Sequence, residues 1–597
     1  MGVGAVWALA LGLSASPQSP AWLTRAERTG FQETSRYEET LEDCRRLERG
    51  SPWIKVTSFG TSPEGRSLIL VVASKDRAFD PRSARRTGKP ILLLQAGIHA
   101  GEIDGKDAGL MLLRDITTGA ERGLLDHAIV LFMPIYNVDG HERFGPYHRI
   151  NQNGPREMGW RTTSRNLNLN RDYVKADAAE TRAWLGVFTT WWPDLTLDAH
   201  VTDGADYQYD VTYAYEAGEN VPRPVADWIT RAVEERVLPE LRAGGHKTSP
   251  YVFLHDDTNP AAGIAAFPPT PRFSNAYTPL QNRPAFLIET HMLKDYRTRV
   301  VATYDVVRAF LRELNREPGA LRRAVERADA EAARPGQVAL AFRVVPKTIE
   351  ETFQGIAFRR ELSEVSGGTR IVYGKEPVEL RIARTAGLEV SVRVDKPIAY
   401  LVPPQWTEAI ERLRAHGLAL RRLASPATVE VEGYRLTSPV WQSHPFEGRH
   451  PVSFKTERLP PASRTFPAGS IVVRMDQRSS AVAAHLLEPM GPDSLAAWGF
   501  FDALFEQKEY AEAYVLESLA REMLEKDPSL RAAFEKELAD PAFAGSPSRR
   551  LDFFYRRSPW WDDRMGLYPI GLLTSPADLP TEAIPSWEGN QPRVPSY

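Results

Sequence analysis

The sequence predicts an α/β fold: a mixed, mostly parallel sheet with helices on both faces, followed by a β-rich accessory domain and a helical C-terminal region. Three observations carry this prediction. Short apolar runs alternate with helical stretches up to about residue 330, and several of those runs end abruptly in a polar, reactive residue. Beyond a charged, Ala-rich segment the pattern then changes to period-two alternation.

Taken in order, the segment from Trp22 to Arg49 is polar and helical, and WIKVTSFGTSPEGRSLILVVAS forms two β-runs joined by a Gly/Pro turn, a hairpin. PILLLQAGIHAGEIDG, KDAGLMLLRDI and AIVLFMPIYNVDG follow as strand, helix and strand. PDLTLDAH and PAFLIETH are short apolar runs flanked by helical sequence, the mark of strands buried on both faces. In such sheets ligands bind in the crevice beyond the carboxyl ends of the strands, where these runs place their histidines and glutamates.

VVATYDVVRAFLRELNREPG and RRAVERADAEAARPG close this unit near residue 330. VALAFRVV, VELRIAR, LEVSVRV and TVEVEGYRL alternate as half-buried antiparallel strands, and Ser494 to Leu538 has the spacing of a helical hairpin or bundle. The expected organisation is a signal peptide over 1–18, a catalytic domain over 22–330, a β-rich domain over 335–475 and a mainly helical region over 476–597.

Composition narrows the function. A formal net charge of -3 leaves no basic excess, and no arginine-rich or zinc-finger pattern is present, which argues against a nucleic-acid partner. Cys44 is the single cysteine, so an intramolecular disulfide and a cysteine-based metal cluster are excluded. MGVGAVWALALGLSAS is a short apolar run ending in small residues, as in a secretory signal, although no Lys or Arg precedes it. The alternative is a buried N-terminal helix. An exported protein, periplasmic or secreted, is the expectation, with no integral membrane span once the signal is removed.

His99 and Glu102 stand as H-x-x-E in the loop leaving an apolar strand, where a tight turn can aim imidazole and carboxylate at one centre. A catalytic zinc needs a third protein ligand and keeps a position open for water. His200, at the end of LTLDAH, is the candidate for that ligand. Alone the H-x-x-E would mean a solvated loop, but it is joined by a second strand-end histidine, a strand-end Glu289 and an arginine-bearing segment between them. No H-E-x-x-H, G-x-S-x-G, P-loop or G-x-G-x-x-G competes. His444 and His450 lie in a Pro/Gly-bearing loop and read as exposed, and SPWWDD around Trp560 reads as packing.

The combination resembles the zinc carboxypeptidases of the carboxypeptidase A type, over roughly residues 35–315. IHAGE and LDAH supply the His, Glu and His of the family's zinc site; YNVDG is similar to its Asn-Pro-Asp-Gly turn, with Val138 in the proline position; GWRTTSRNLNLNRDY resembles the stretch with its two functional arginines. The resemblance implies one Zn2+ on His99, Glu102 and His200, with a peptide bearing a free C-terminal carboxylate as substrate. It implies that Arg161 stabilises the oxyanion, that Asn170 and Arg171 hold the terminal carboxylate, and that Glu289 is the general base assisting attack by zinc-activated water. A guanidinium fork matches a carboxylate, and a donor aimed at developing charge contributes most where water is scarce.

Three departures accompany the resemblance, one being that the residue lining the family's specificity pocket has no aligned counterpart, which leaves the preference among apolar, basic and acidic C-terminal side chains open. Asn168 stands where the family has an aspartate supporting a zinc-bound imidazole, and an amide oxygen raises ligand basicity less than a carboxylate. The family's mobile tyrosine has no clean counterpart; Tyr277 is the candidate, with a packed core or rim tyrosine as the other reading. His291 reads as a supporting or surface histidine. The alternatives to a carboxypeptidase are a zinc deacylase or amidase of N-acyl amino acids or cell-wall peptides, and a catalytically silent peptide-binding module. The sequence leaves the oligomeric state open.

Overall fold

Eight strands order the first half of the chain: β1 (Ile54–Thr61), β2 (Ser67–Ala73), β3 (Ile91–Ala96), β4 (Ile129–Met133), β5 (Leu195–Val201), β6 (Val211–Ala214), β7 (Thr248–Pro250) and β8 (Ala285–Thr290). This computed structural model describes residues 22–584, so the signal expected over 1–18 lies outside the described residues. The strands form one sheet in the order β1-β2-β4-β3-β5-β8-β6-β7. β3 runs parallel to β4 and β5, and β5 parallel to β8; β1 and β2 are the predicted antiparallel hairpin, and β6 is antiparallel to β8. The predicted mixed, mostly parallel sheet with helices on both faces is what the chain forms.

Alternation sets the two faces. Leu92, Leu94, Val130 and Phe132 pack with the helices Asp104–Thr118 and Tyr296–Arg316, while Ile91, Leu93, Ile129 and Leu131 pack with the helix Ala179–Trp191. All six residues of β3 are buried. Each fully buried aliphatic side chain contributes about 1.5–3 kcal/mol, which explains why the central strands are uninterrupted apolar runs. The helix Asp104–Thr118 starts hard against the sheet: a Cβ on Gly105 would collide with that of Ala199. That contact fixes the loop carrying His99 and Glu102 over the ends of β3 and β5.

Downstream, β9 (Gln337–Leu362) and β10 (Thr369–Asp395) pair antiparallel along almost their whole length. At about 3.3 Å per residue, 26 residues span roughly 85 Å. VELRIAR and LEVSVRV, read separately in the sequence, both belong to β10. The turn-like residues between and before them sit at register shifts, between Thr385 and Gly387 and between Tyr373 and Pro377, so they bulge the ladder without ending it. Midway along the ribbon, Phe353 and Ile382 join Tyr207, Tyr209, Val252, Leu254 and Ile264 of the first unit in a separate apolar cluster.

A second sheet takes β11 (Ala399–Val402), β12 (Leu420–Leu423), β13 (Ala427–Trp441), β14 (Val452–Phe466) and β15 (Ile471–Arg474), together with β16 (Gly571–Leu573) and β17 (Thr581–Ala583) from the tail. The boundary expected at 475/476 therefore runs through one sheet. Its core is continuous with that of the first: Tyr400, Val473, Trp498 and Leu572 belong to the same cluster as Leu93, Leu131 and Trp184. The helical hairpin expected from Ser494 begins later, with the helices Ala513–Lys526 and Pro528–Glu537. Leu495, Trp498 and Phe501 are instead buried in turns against the shared core. Their helix-like spacing serves this packing, and Gly499, at φ +79°, helps to break the path. Among the described residues no helix is long and apolar enough to cross a membrane.

Candidate active site

The carboxyl ends of β3, β5 and β8 converge on one buried crescent. Glu102 N–H donates to the His99 carbonyl at 2.8 Å, closing the tight turn that the H-x-x-E spacing requires. His200 and Glu289 are register partners on the adjacent parallel strands β5 and β8, so their side chains leave the sheet on the same side. His99, Glu102, His200 and Glu289 are all buried. One ligand atom from each of His99, Glu102 and His200 lies within 4.8 Å of the others.

Outer partners orient both imidazoles. His99 Nε2 meets Asn168 Oδ1 at 3.0 Å and His200 Nε2 meets Asp198 Oδ2 at 2.9 Å. With Nε2–H donating in each case, both rings present an Nδ1 lone pair to the centre. His99 Nδ1 is buried 3.2 Å from Glu102 Oε1 without a well-aligned hydrogen bond, and His200 Nδ1 lies 2.9 Å from Glu102 Oε2. Two imidazole nitrogens turned toward one buried carboxylate are a donor set that fits zinc. Asn168 thus performs, as an amide, the supporting role expected of an acid at that position.

Charges in the crescent are strongly coupled. Burial lowers the His99 pKa to about 4, so that ring is neutral at pH 7. Burial also opposes charge on His200, but Asp198 and Glu102 outweigh it and hold its pKa well above the usual histidine value. Glu289 is pushed up to about 8, first by burial and then by Glu102, Asp203 and Asp198, with His200 opposing. A carboxyl with its proton affinity raised toward neutrality is suited to accepting and returning a proton.

Three arginines border the crescent. Arg161 donates to Glu102 Oε1 at 3.1 Å from a partly exposed position. Arg149 also donates to Glu102 Oε1, at 2.7 Å, and was not singled out by the sequence, since nothing distinguishes it in a polar loop. Its approach depends on Gly101, where a Cβ would lie 2.5 Å from the Arg149 side chain. Arg171 stacks over Phe273 at 4.1 Å and donates to the Asn170 carbonyl at 2.8 Å. It forms no ion pair among the described residues, and burial, with the charges of Arg161 and Arg272, lowers its pKa to about 10. Asn170 Oδ1 accepts from Ser274 N–H at 3.1 Å, which leaves its amide NH2 to donate.

Asp198 was likewise missed. It accepts from Gln95 at 2.7 Å and from the Ser274 hydroxyl as well as from His200. Its signal was present: two residues before His200 on a strand, it shares that residue's face.

Tyr277 is not a site tyrosine. It is fully buried on the helix Ser274–Leu280, its hydroxyl 2.6 Å from His416 Nδ1 and its ring packed among Tyr173, Trp184 and Phe188. Tyr251 directly follows β7. Its pKa is raised by burial and by the charges of Glu289 and Asp203, and it lies within electrostatic reach of Arg171. His291 is buried, stacked on Tyr207 at 4.2 Å and 3.0 Å from Asp206, away from the ligand set.

The sheet, the crescent and its donor set fit a zinc-dependent hydrolase. Residues 41–236 match the zinc carboxypeptidase family model, and the chain carries a zinc carboxypeptidase domain, as its motifs indicated. The matched segment contains His99, Glu102, Arg161, Asn170, Arg171 and His200, and ends before Glu289. Among proteins similar over most of their length are Carboxypeptidase 2 of Trichophyton rubrum, 24% identical over 81% of this chain and 87% of that protein, and Carboxypeptidase 2 of Trichophyton tonsurans, with the same identity and coverage. The solved carboxypeptidase A of Helicoverpa armigera is 17% identical, covering 50% of this chain and 75% of that one with a TM-score of 0.36.

Proposed function

We propose that the protein removes residues one at a time from the C-terminal end of peptides. The observation that carries this reading is the half-buried Arg171, with no carboxylate paired to it among the described residues, beside the free amide of Asn170 and next to the His99–Glu102–His200 crescent. A substrate's terminal carboxylate completes this arrangement, because the guanidinium fork and the amide supply the donors a carboxylate accepts from.

Zinc held by His99, Glu102 and His200 would supply Lewis acidity, acidifying a water and polarising the scissile carbonyl. Glu289 takes the proton from that water and returns it to the leaving amine nitrogen. Arg161 retains donors beyond its bond to Glu102 and offers them to the oxyanion. Tyr251, within electrostatic reach of Glu289 and Arg171, takes the place of Tyr277 as the candidate tyrosine.

On the scale of the chain, we assign residues 22–330 to the catalytic unit and 335–584 to one accessory unit that shares its core. The apolar leader over 1–18 is read as a signal for export to the periplasm or outside the cell.

The test is substrate choice. The purified protein is offered an N-blocked dipeptide, the same dipeptide amidated at its C-terminus, and an N-acyl amino acid. Release of the terminal residue from the first alone supports the proposal. Turnover of the N-acyl amino acid alone reassigns the site to a deacylase, and turnover of none with zinc bound reassigns it to peptide binding.

A further inference from the structure

We propose that Glu447, from the accessory unit, is a positioning residue for the substrate-carboxylate anchor, holding the turn that carries Asn170 and Arg171 from outside the catalytic domain. This rests on the reading of Arg171 as that anchor.

Glu447 lies at the tip of the loop between β13 and β14, in a tight turn closed by Phe446 N–H to the Arg449 carbonyl at 2.7 Å and by Arg449 N–H to the Phe446 carbonyl at 3.1 Å. Its φ of +51° is a conformation that non-glycine residues seldom adopt, so the surroundings must hold it there. From this position its carboxylate accepts from the Asn168 backbone N–H at 2.8 Å, across 279 residues of sequence. Asn168 in turn uses its side-chain oxygen twice, for His99 Nε2 and for Asn170 N–H, each at 3.0 Å. One accessory carboxylate therefore holds the residue from which both a metal-facing imidazole and the anchor turn are oriented.

The tip is fastened on both flanks. Arg449 makes two bonds to Asp177 of the catalytic unit, at 2.6 and 2.8 Å, and Arg412 adds a third at 3.0 Å. On the other flank Phe446 stacks with Trp498 at 6.0 Å. Arg272 lies over both rings and pairs with Asp493 at 2.7 Å. Arg272 immediately precedes Phe273, the ring beneath Arg171. Accessory residues thus brace the anchor from its own turn and from the ring it stacks on. The Glu447 charge also favours the protonated guanidinium of Arg171, opposing the burial that disfavours it.

The experiment compares steady-state kinetics of the full chain with Glu447→Ala, Glu447→Gln and Arg171→Ala on an N-benzoyl dipeptide with a free carboxylate. Inhibition by 3-phenylpropanoate, a carboxylate with no scissile bond, is measured alongside, with zinc content and melting temperature. The expected result is a KM about tenfold higher for Glu447→Ala with kcat within about threefold, the tenfold reflecting loss of one charge-assisted bond. The inhibition constant should rise in parallel, zinc should stay bound, and the Gln variant, which keeps an acceptor oxygen, should recover most of the loss. Arg171→Ala should raise KM further. If Arg171→Ala raises KM and Glu447→Ala does not, the inference fails while the anchor reading stands. An unchanged KM in Arg171→Ala removes the anchor, and the inference with it. A Glu447→Ala effect that follows lost zinc or lowered melting temperature, unrescued by Gln, makes the contact merely structural and overturns the proposal.

Discussion

The crescent of His99, Glu102, His200 and Glu289 and the rim of Arg171 and Tyr251 are built by different means. The crescent hangs from the ends of β3, β5 and β8, and its orienting partners, Asn168 and Asp198, belong to the catalytic unit. The rim is held from outside: Glu447 grips the Arg171 turn, and the β9–β10 ribbon grips the Tyr251 segment, with Arg384 donating to the Tyr251 carbonyl at 2.8 Å. The difference teaches that the sheet ends and Asp198 set His200 and Glu289, while the Arg171 turn and the Tyr251 segment are held by the second half of the chain, which reaches His99 only indirectly, through Asn168.

This separation can be broken by experiment. The largest expected effect is that of Phe353→Ala, since Phe353 is fully buried in the cluster joining the ribbon to Tyr207 and Tyr209. Truncating such a ring costs about 3–5 kcal/mol. The outcome expected is lost hydrogen-exchange protection over 205–209 and 352–354 and a raised KM, with zinc retained. Loss of zinc in this variant would mean that rim and crescent are one unit.

Asp198→Asn acts in the opposite sense. Removing the charge behind His200 should weaken zinc binding by about 10–100-fold, the usual cost at such a supporting position, measured by competition with a chelator. KM at saturating zinc should hardly move.

The smallest effect concerns pH. His246 bridges Asp305 at 2.8 Å and Asp210 at 3.7 Å, tying the helix Tyr296–Arg316 to the segment before β6. Its pKa is raised to about 9 by hydrogen bonds to Asp210 and Asp305. A folded-state pKa above the unfolded value contributes stability that is complete below about pH 6.5, and it is lost as pH rises through about 9. The melting-temperature gap between wild type and His246→Gln should therefore close across that window. A gap constant from pH 6 to 9.5 would contradict the assignment.

Legibility in the sequence followed the same division. The crescent could be read because its members lie at or just beyond the ends of apolar runs, and the resemblance supplied their roles. Asp198 was readable in principle, from strand alternation alone. Of the two readings the sequence left for Tyr277, the structure shows the packed one, because its helix turns the ring into the core beside His416. Arg149 sits in a loop without periodicity, and Glu447 acts across 279 residues with no motif to mark it. The two halves of β10 were read apart because bulges carry the same glycines and prolines as turns.

The most direct test of the account is zinc content and C-terminal trimming of a mixed peptide library by wild type and by Glu289→Gln. The account predicts one zinc per chain in both proteins, with trimming by wild type and a loss of about 10²–10⁴-fold in the variant, the range for a general acid–base group. Equal trimming by the two proteins, or wild type without zinc after reconstitution, would contradict it.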